Sequence, residues 1–111
     1  MSEINNNIDD KTNQTVVSYK LGSGKVITKV FTNNKLHCTD GPAVFSHDSK
    51  EYFCEGVRHR DGGPAVLITL DNFVRAEWWK NGGLHRFNKP AVIDSDGTVE
   101  YWEDGVRVNK Q

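Results

Sequence analysis

Large apolar residues recur in pairs along this chain, each pair standing just before a turn. Val30-Phe31 precedes Asn33-Asn34, Tyr52-Phe53 precedes Glu55-Gly56, Trp78-Trp79 precedes Asn81-Gly82, and Tyr101-Trp102 precedes Asp104-Gly105. Such turns between apolar residues predict four tight β-hairpins, because Gly and Asn accept the positive φ that a primed turn requires. After each of the first three turns comes a second recurring segment. Its copies are Leu36-His37-Cys38-Thr39-Asp40-Gly41-Pro42-Ala43-Val44, Arg58-His59-Arg60-Asp61-Gly62-Gly63-Pro64-Ala65-Val66 and Leu84-His85-Arg86-Phe87-Asn88-Lys89-Pro90-Ala91-Val92. His37 and His59 lie 22 residues apart and His59 and His85 lie 26 apart, inside the window that marks stacked supersecondary units.

Each Pro-Ala-Val opens a run of β-branched and apolar residues that ends at a second turn: His47-Asp48-Ser49, Asp71-Asn72 and Asp96-Gly97. Pro42 precedes His59 by 17 residues, whereas Pro64 precedes His85 by 21. The extra length around Asp71-Asn72 adds equally to both arms of that hairpin and so preserves its inside-outside alternation. Gly, Asn, Asp and Pro interrupt the chain too often for a helix to form. The fold class is all-β, an antiparallel meander of stacked β-hairpin repeats.

Neighbours on a strand point to opposite faces. Tyr52, Trp78 and Tyr101 therefore share a face with Lys50, Ala76 and Val99, while Phe53, Trp79 and Trp102 share the other with Glu51, Glu77 and Glu100. The first aromatic column is expected to be the more buried. Pro42, Pro64 and Pro90 read as strand starts, and Gly41, Gly62 and Gly63 as relief of backbone crowding between hairpins. A His repeated at one place in a stack reads first as a hydrogen-bonding residue that fixes a turn.

Composition narrows the picture. Residues 1–14 (MSEINNNIDDKTNQ) hold no aromatic residue and read as a disordered polar head, leaving one β-repeat domain over 15–111. With 14 basic and 15 acidic residues the formal net charge is −1, and the basic residues are scattered, which argues against long DNA or RNA as a partner. No apolar run is long enough to cross a bilayer, and no secretory signal is visible, so a cytoplasmic location is expected.

Together the aromatic pair, the Asn-Gly or Asp-Gly turn, Leu84-His85-Arg86 and Asp61-Gly62-Gly63-Pro64-Ala65 resemble MORN-type β-hairpin repeats. The variant is the His-Arg-x-Asp-Gly-Pro-Ala form that recurs in bacteriophage and giant-virus proteins. The resemblance covers about residues 28–108. It departs at Cys38-Thr39 in the first copy, at Phe87-Asn88-Lys89 in the third, and at Val106-Arg107-Val108, where the last copy stops. It implies a scaffolding or binding surface rather than an enzyme, and for small phage proteins it suggests a role in counteracting a host process.

Several groups are candidates for chemistry. Neither a nucleophile elbow nor a metalloprotease His-Glu-x-x-His is present, and Gly22-Ser23-Gly24 lacks the Lys-Ser/Thr of a phosphate loop. Glu51, Glu77 and Glu100 read as a charged ladder along a sheet. His37, Cys38, Cys54 and His59 have the donors of a tetrahedral zinc site, yet without finger spacing or a Cys-x-x-Cys pair. No cofactor is expected.

Arg58, Arg60 and Arg86 beside His59 and His85, with aromatic rings nearby, make a kit for a small anionic nucleotide. A single sheet without helices to cover it leaves aromatic residues needing a cover, and terminal hairpins leave strand edges open. The leading expectation is a non-catalytic protein that binds and inhibits a host defence protein. Phe53, Trp78, Trp79, Tyr101 and Trp102 would carry the contact, with Arg58, Arg60 and Arg86 giving polar specificity. The alternatives are an oligomeric sponge for a nucleotide second messenger and a purely structural scaffold. A homo-oligomer is expected.

Overall fold

The computed structural model describes residues 2–9 by their backbone and residues 13–37 and 39–109 in full. The elements among them are β-strands, and the pairings are antiparallel, as the turn spacing predicts. In chain order they are β1 (Ser2–Asp9), β2 (Gln14–Lys20), β3 (Val26–Thr32), β4 (Lys35–Leu36), β5 (Val44–Ser46), β6 (Ser49–Glu51), β7 (Phe53–Cys54) and β8 (Val57–Arg58). Then come β9 (Val66–Leu70), β10 (Phe73–Glu77), β11 (Trp79–Lys80), β12 (Gly83–Leu84), β13 (Val92–Asp94), β14 (Val99–Glu103) and β15 (Val106–Val108). No helix among the described residues is long and apolar enough to cross a membrane.

The strands form two kinds of hairpin. A main meander runs β1-β2-β3-β5-β6-β9-β10-β13-β14-β15. Four short tip hairpins, β3/β4, β7/β8, β11/β12 and β14/β15, carry the turns Asn33-Asn34, Glu55-Gly56, Asn81-Gly82 and Asp104-Gly105. Both residues of every tip turn have positive φ, from 48° at Glu55 to 85° at Gly56, which is the type I′ geometry expected of these sequences. The hairpin around Asp71-Asn72 has arms of 5 residues where the one at His47-Asp48 has arms of 3. The added length is shared between the arms, as the spacing predicts.

β1 pairs antiparallel with β2 along the meander's first edge, with a register shift between Glu3 and Asn5. The pairing satisfies backbone groups on an edge of β2 that would otherwise be open, and it needs no apolar side chain.

Register fixes the two faces. One rung across the meander reads Val17, Lys29, Val44, Glu51, Val66, Glu77, Val92, Glu100. Apolar and charged residues alternate along it, so each Glu stem lies between aliphatic neighbours. The opposite face carries Ser18, Thr28, Phe45, Lys50, Leu67, Ala76, Ile93 and Val99. We call the first face the front and the second the back.

The core is small and lies where meander and tip hairpins join. Ala43, Ala65 and Ala91 are fully buried there. Each bridges the segments before and after it: Ala65 N–H donates to Glu77 O at 2.7 Å, and Ala65 O accepts from Tyr52 N–H at 2.7 Å. The same pattern recurs at Ala43 and Ala91. A larger side chain at these places would have no room, which accounts for the Pro-Ala-Val column. The molecule is a thin slab of 49 × 31 × 18 Å.

At the His47-Asp48 turn, Lys25 Nζ stands 2.8 Å from Asp48 Oδ1. That bond and the Ser46 hydroxyl hold the Asp48 carboxyl below the usual carboxylate range. A depressed folded-state value contributes stability above the unfolded carboxylate pKa, and this is lost as pH falls through the folded value. Urea midpoints are expected to fall on acidification, and Asp48→Asn is expected to flatten that acid limb. An unchanged limb in the variant would remove Asp48 from the account.

Candidate functional site

The three histidines form one column, and each joins two repeats. His37 Nδ1 accepts from the Glu55 backbone N–H at 2.9 Å, His59 Nδ1 from Asn81 N–H at 3.0 Å, and His85 Nδ1 from Asp104 N–H at 2.9 Å. In every case the donor is the first residue of the next tip turn. The second turn residue donates alongside, Gly56 to Leu36 O, Gly82 to Arg58 O and Gly105 to Leu84 O, at 2.8 to 2.9 Å. The hydrogen-bonding role expected of the column is present, but the turn that each His fixes belongs to the following repeat. An Nδ1 acceptor implies the tautomer with its proton on Nε2, and His59 Nε2 lies 3.1 Å from Asp61 Oδ1.

Arg60 and Arg86 are likewise engaged within the chain. Arg60 lies 3.9 Å above the Tyr52 ring centroid and Arg86 4.0 Å above Trp78. Each also donates to the carbonyl of its own repeat's proline, Pro64 at 3.1 Å and Pro90 at 3.3 Å. These cation–π contacts lay guanidinium planes over Tyr52 and Trp78.

The front column is organised otherwise. Trp79 Nε1–H donates to Glu77 Oε1 and Trp102 Nε1–H to Glu100 Oε1, both at 2.8 Å. Arg58 donates to Glu51 Oε1 at 2.6 Å and stands between two rings, 5.2 Å from the Phe53 centroid and 4.8 Å from that of Trp79. Arg75 adds a bond to Glu77 Oε2 at 2.9 Å. The Glu ladder thus orients indole and guanidinium groups. The Nε of Arg58 is buried without a partner.

The columns do not separate by burial as expected. Tyr52, Trp78 and Tyr101 are half-buried, and so are Phe53, Trp79 and Trp102. On the back, Tyr52 and Trp78 lie under arginines, whereas the front rings are flanked by Glu and Arg. The glycines expected to relieve crowding also differ. Nothing approaches a Cβ built on Gly41 or Gly62, and at Gly63 the near atoms belong to the Arg60 side chain. The close approaches lie instead at Gly82 and Gly83, 3.0 Å from Val57 Cγ1 and 3.1 Å from the Gly105 nitrogen.

Two clefts flank these columns. One of about 390 Å³ lies between the first two repeats and is lined by His37, Tyr52, Cys54, His59 and Arg60. The other, about 410 Å³, lies on the front face, with Val66, Ile68 and Leu70 as its floor and Lys25, Glu51, Arg58 and Glu77 at its sides. Sequence reasoning missed Lys25 and Leu70 as lining residues, because only strand register brings them to that face. Of the zinc candidates, Cys38 lies outside the described residues. Among the described ones, no three metal-ligating side chains come together.

The structure therefore groups Phe53, Arg58 and Trp79 on the front face with Trp102 further along the same column. Tyr52 with Arg60 and Trp78 with Arg86 lie on the back, and His59 and His85 sit inside the junctions. Comparison with known proteins finds no match to this chain among protein families, curated proteins or solved structures.

Proposed function

We propose that this protein is a non-catalytic binding module of MORN-like hairpin repeats, and that it captures a protein partner on its front face. The observation that supports this most directly is the Phe53, Arg58, Trp79, Trp102 row. Its indoles are tethered by Glu77 and Glu100, and its guanidinium is stacked between rings. Trp and Arg dominate binding hot spots, and side chains already fixed in place lose little entropy on association. The apolar floor of the neighbouring cleft extends the same surface. In this reading the protein is virus-encoded, acts in the host cytoplasm and occupies a host defence protein.

A nucleotide sponge draws less support. Arg60 and Arg86 are spent on their own rings and proline carbonyls, and His59 and His85 accept backbone bonds. These groups would have to leave the repeat junctions before they could converge on an anion.

Affinity capture from host extract tests the proposal. The Trp79→Ala/Trp102→Ala double variant is expected to lose at least tenfold of the wild-type recovery of one specific protein, because large hot-spot truncations commonly lose about 2 kcal/mol or more. Its circular dichroism should remain that of a folded sheet. Undiminished capture by a folded double variant would sink the proposal. A rise in melting temperature with cyclic di- or trinucleotides would revive the sponge.

A further inference from the structure

The three histidine junctions are alike in geometry and different in charge. At His85 the accepting Nδ1 also lies 3.4 Å from Asp104 Oδ1, a carboxylate on the very turn that the ring holds. The turn held by His37 likewise begins with an acid, Glu55. The turn held by His59 begins with Asn81, which carries no charge. The carboxylate at His59 is Asp61, 3.1 Å from Nε2 and on the ring's own repeat.

Histidine gains its second ring hydrogen between neutral pH and mild acid, and the His59 side chain is 18% exposed, so water reaches it. An Nδ1 that bears a hydrogen cannot accept one, so protonation breaks the bond from the turn N–H at each junction. At His85 the new hydrogen meets the Asp104 carboxylate, and a charge-assisted bond replaces the lost one. At His59 the outcome is different. Asp61 draws the imidazolium toward the second repeat, and the third tip hairpin, Trp79–Leu84, has Lys80 as its one charged residue. Lys35, His37 and Asp40 of the first repeat and Cys54, Glu55 and Arg60 of the second line the clefts beside the ring, and all of them stand on the near side of this junction.

We propose that the second junction is an acid-sensitive latch on the front-face row: protonation of His59 at Nδ1 releases the Asn81-Gly82 turn and parts Trp79 from Arg58. Near neutral pH the row from Phe53 to Trp102 is continuous, with Arg58 4.8 Å from the Trp79 ring centroid. In mild acid it is cut between the second and third repeats. As regulation of capture this rests on the front-face reading, whereas the latch itself is measured without any partner.

The test takes isotope-labelled full-length protein from about pH 8 to about pH 5, the span over which histidines titrate, and reads the His59 ring nitrogens and the Asn81 amide by NMR. Nδ1 is expected to be bare at the upper end and to gain its hydrogen on acidification. Over the same range Asn81 exchange, corrected for its intrinsic rate, should rise by up to about tenfold per pH unit, the limit for an opening linked to one proton. The Glu55 and Asp104 amides should rise less. In His59→Asn, whose Oδ1 accepts and does not titrate, the acid rise at Asn81 should vanish. Three results overturn the latch: a ring that stays neutral throughout, a ring that protonates while Asn81 stays protected, or an acid rise shared equally by Glu55, Asn81 and Asp104. With the latch observed, equal capture of a partner at both ends of the range would overturn its regulatory role, whereas no capture at either end would be a failure of the front-face reading alone.

Discussion

Replacing Gly83 by alanine is expected to push the fourth tip hairpin off the third and to lower stability by about 2–4 kcal/mol. The new methyl group would meet the Gly105 nitrogen at 3.1 Å and its Cα at 3.2 Å. Both are backbone atoms in a tight turn, so no side chain can swing away. Relief has to come from moving the turn, and that stretches the Gly105 bond to Leu84 O and the Asp104 bond to His85 Nδ1. The effect should be local in kind. Amide exchange should rise at Asp104 and Gly105 and stay unchanged at Gly56, two junctions away. Thermal unfolding measures the total, since 1 kcal/mol moves the midpoint of a domain this size by about 4–8 °C. Wild-type stability in Gly83→Ala would mean that the third and fourth hairpins are not packed as described.

Removing the imidazole column should be comparably damaging. His37→Leu, His59→Leu and His85→Leu together leave three turn N–H groups without their acceptors. At about 0.5–1.5 kcal/mol per bond, and with the junctions independent, the triple variant should lose about 2–4 kcal/mol. Asn is the informative control, because its Oδ1 can stand where Nδ1 accepts. His59→Asn should retain most of the stability that His59→Leu loses in urea unfolding. Equal losses would show that the ring's bulk matters and its nitrogen does not. The experiment also bears on function, because an imidazole committed to a junction is not available to a ligand.

Much of this architecture was legible in the chain because its signals are local. A primed turn is encoded in two residues, so Glu55-Gly56, Asn81-Gly82 and Asp104-Gly105 could be placed without knowing what they pack against. Period-2 alternation put Glu77 beside Trp79 and Glu100 beside Trp102, and the indole bonds follow those columns. What escaped depends on contacts between repeats. Nothing in His59 itself says that it accepts from Asn81, 22 residues further on. Arg60 and Arg58 flank the same histidine, yet Arg60 turns onto the back ring of Tyr52 while Arg58 enters the front row. Nor does anything in Gly83 itself say that a side chain there would meet the backbone of Gly105.

The order of strands in the meander is the order of the chain, with the tip hairpins set between. Every strand therefore finds its partner after closing only a short loop, and little chain entropy is lost before the first contacts begin to stabilise the fold. Folding can start at whichever hairpin forms first and spread to either side, as in other one-dimensional arrays. A slab wired in this way never waits for two remote segments to meet, and a whole hairpin could be added or removed without rerouting the rest.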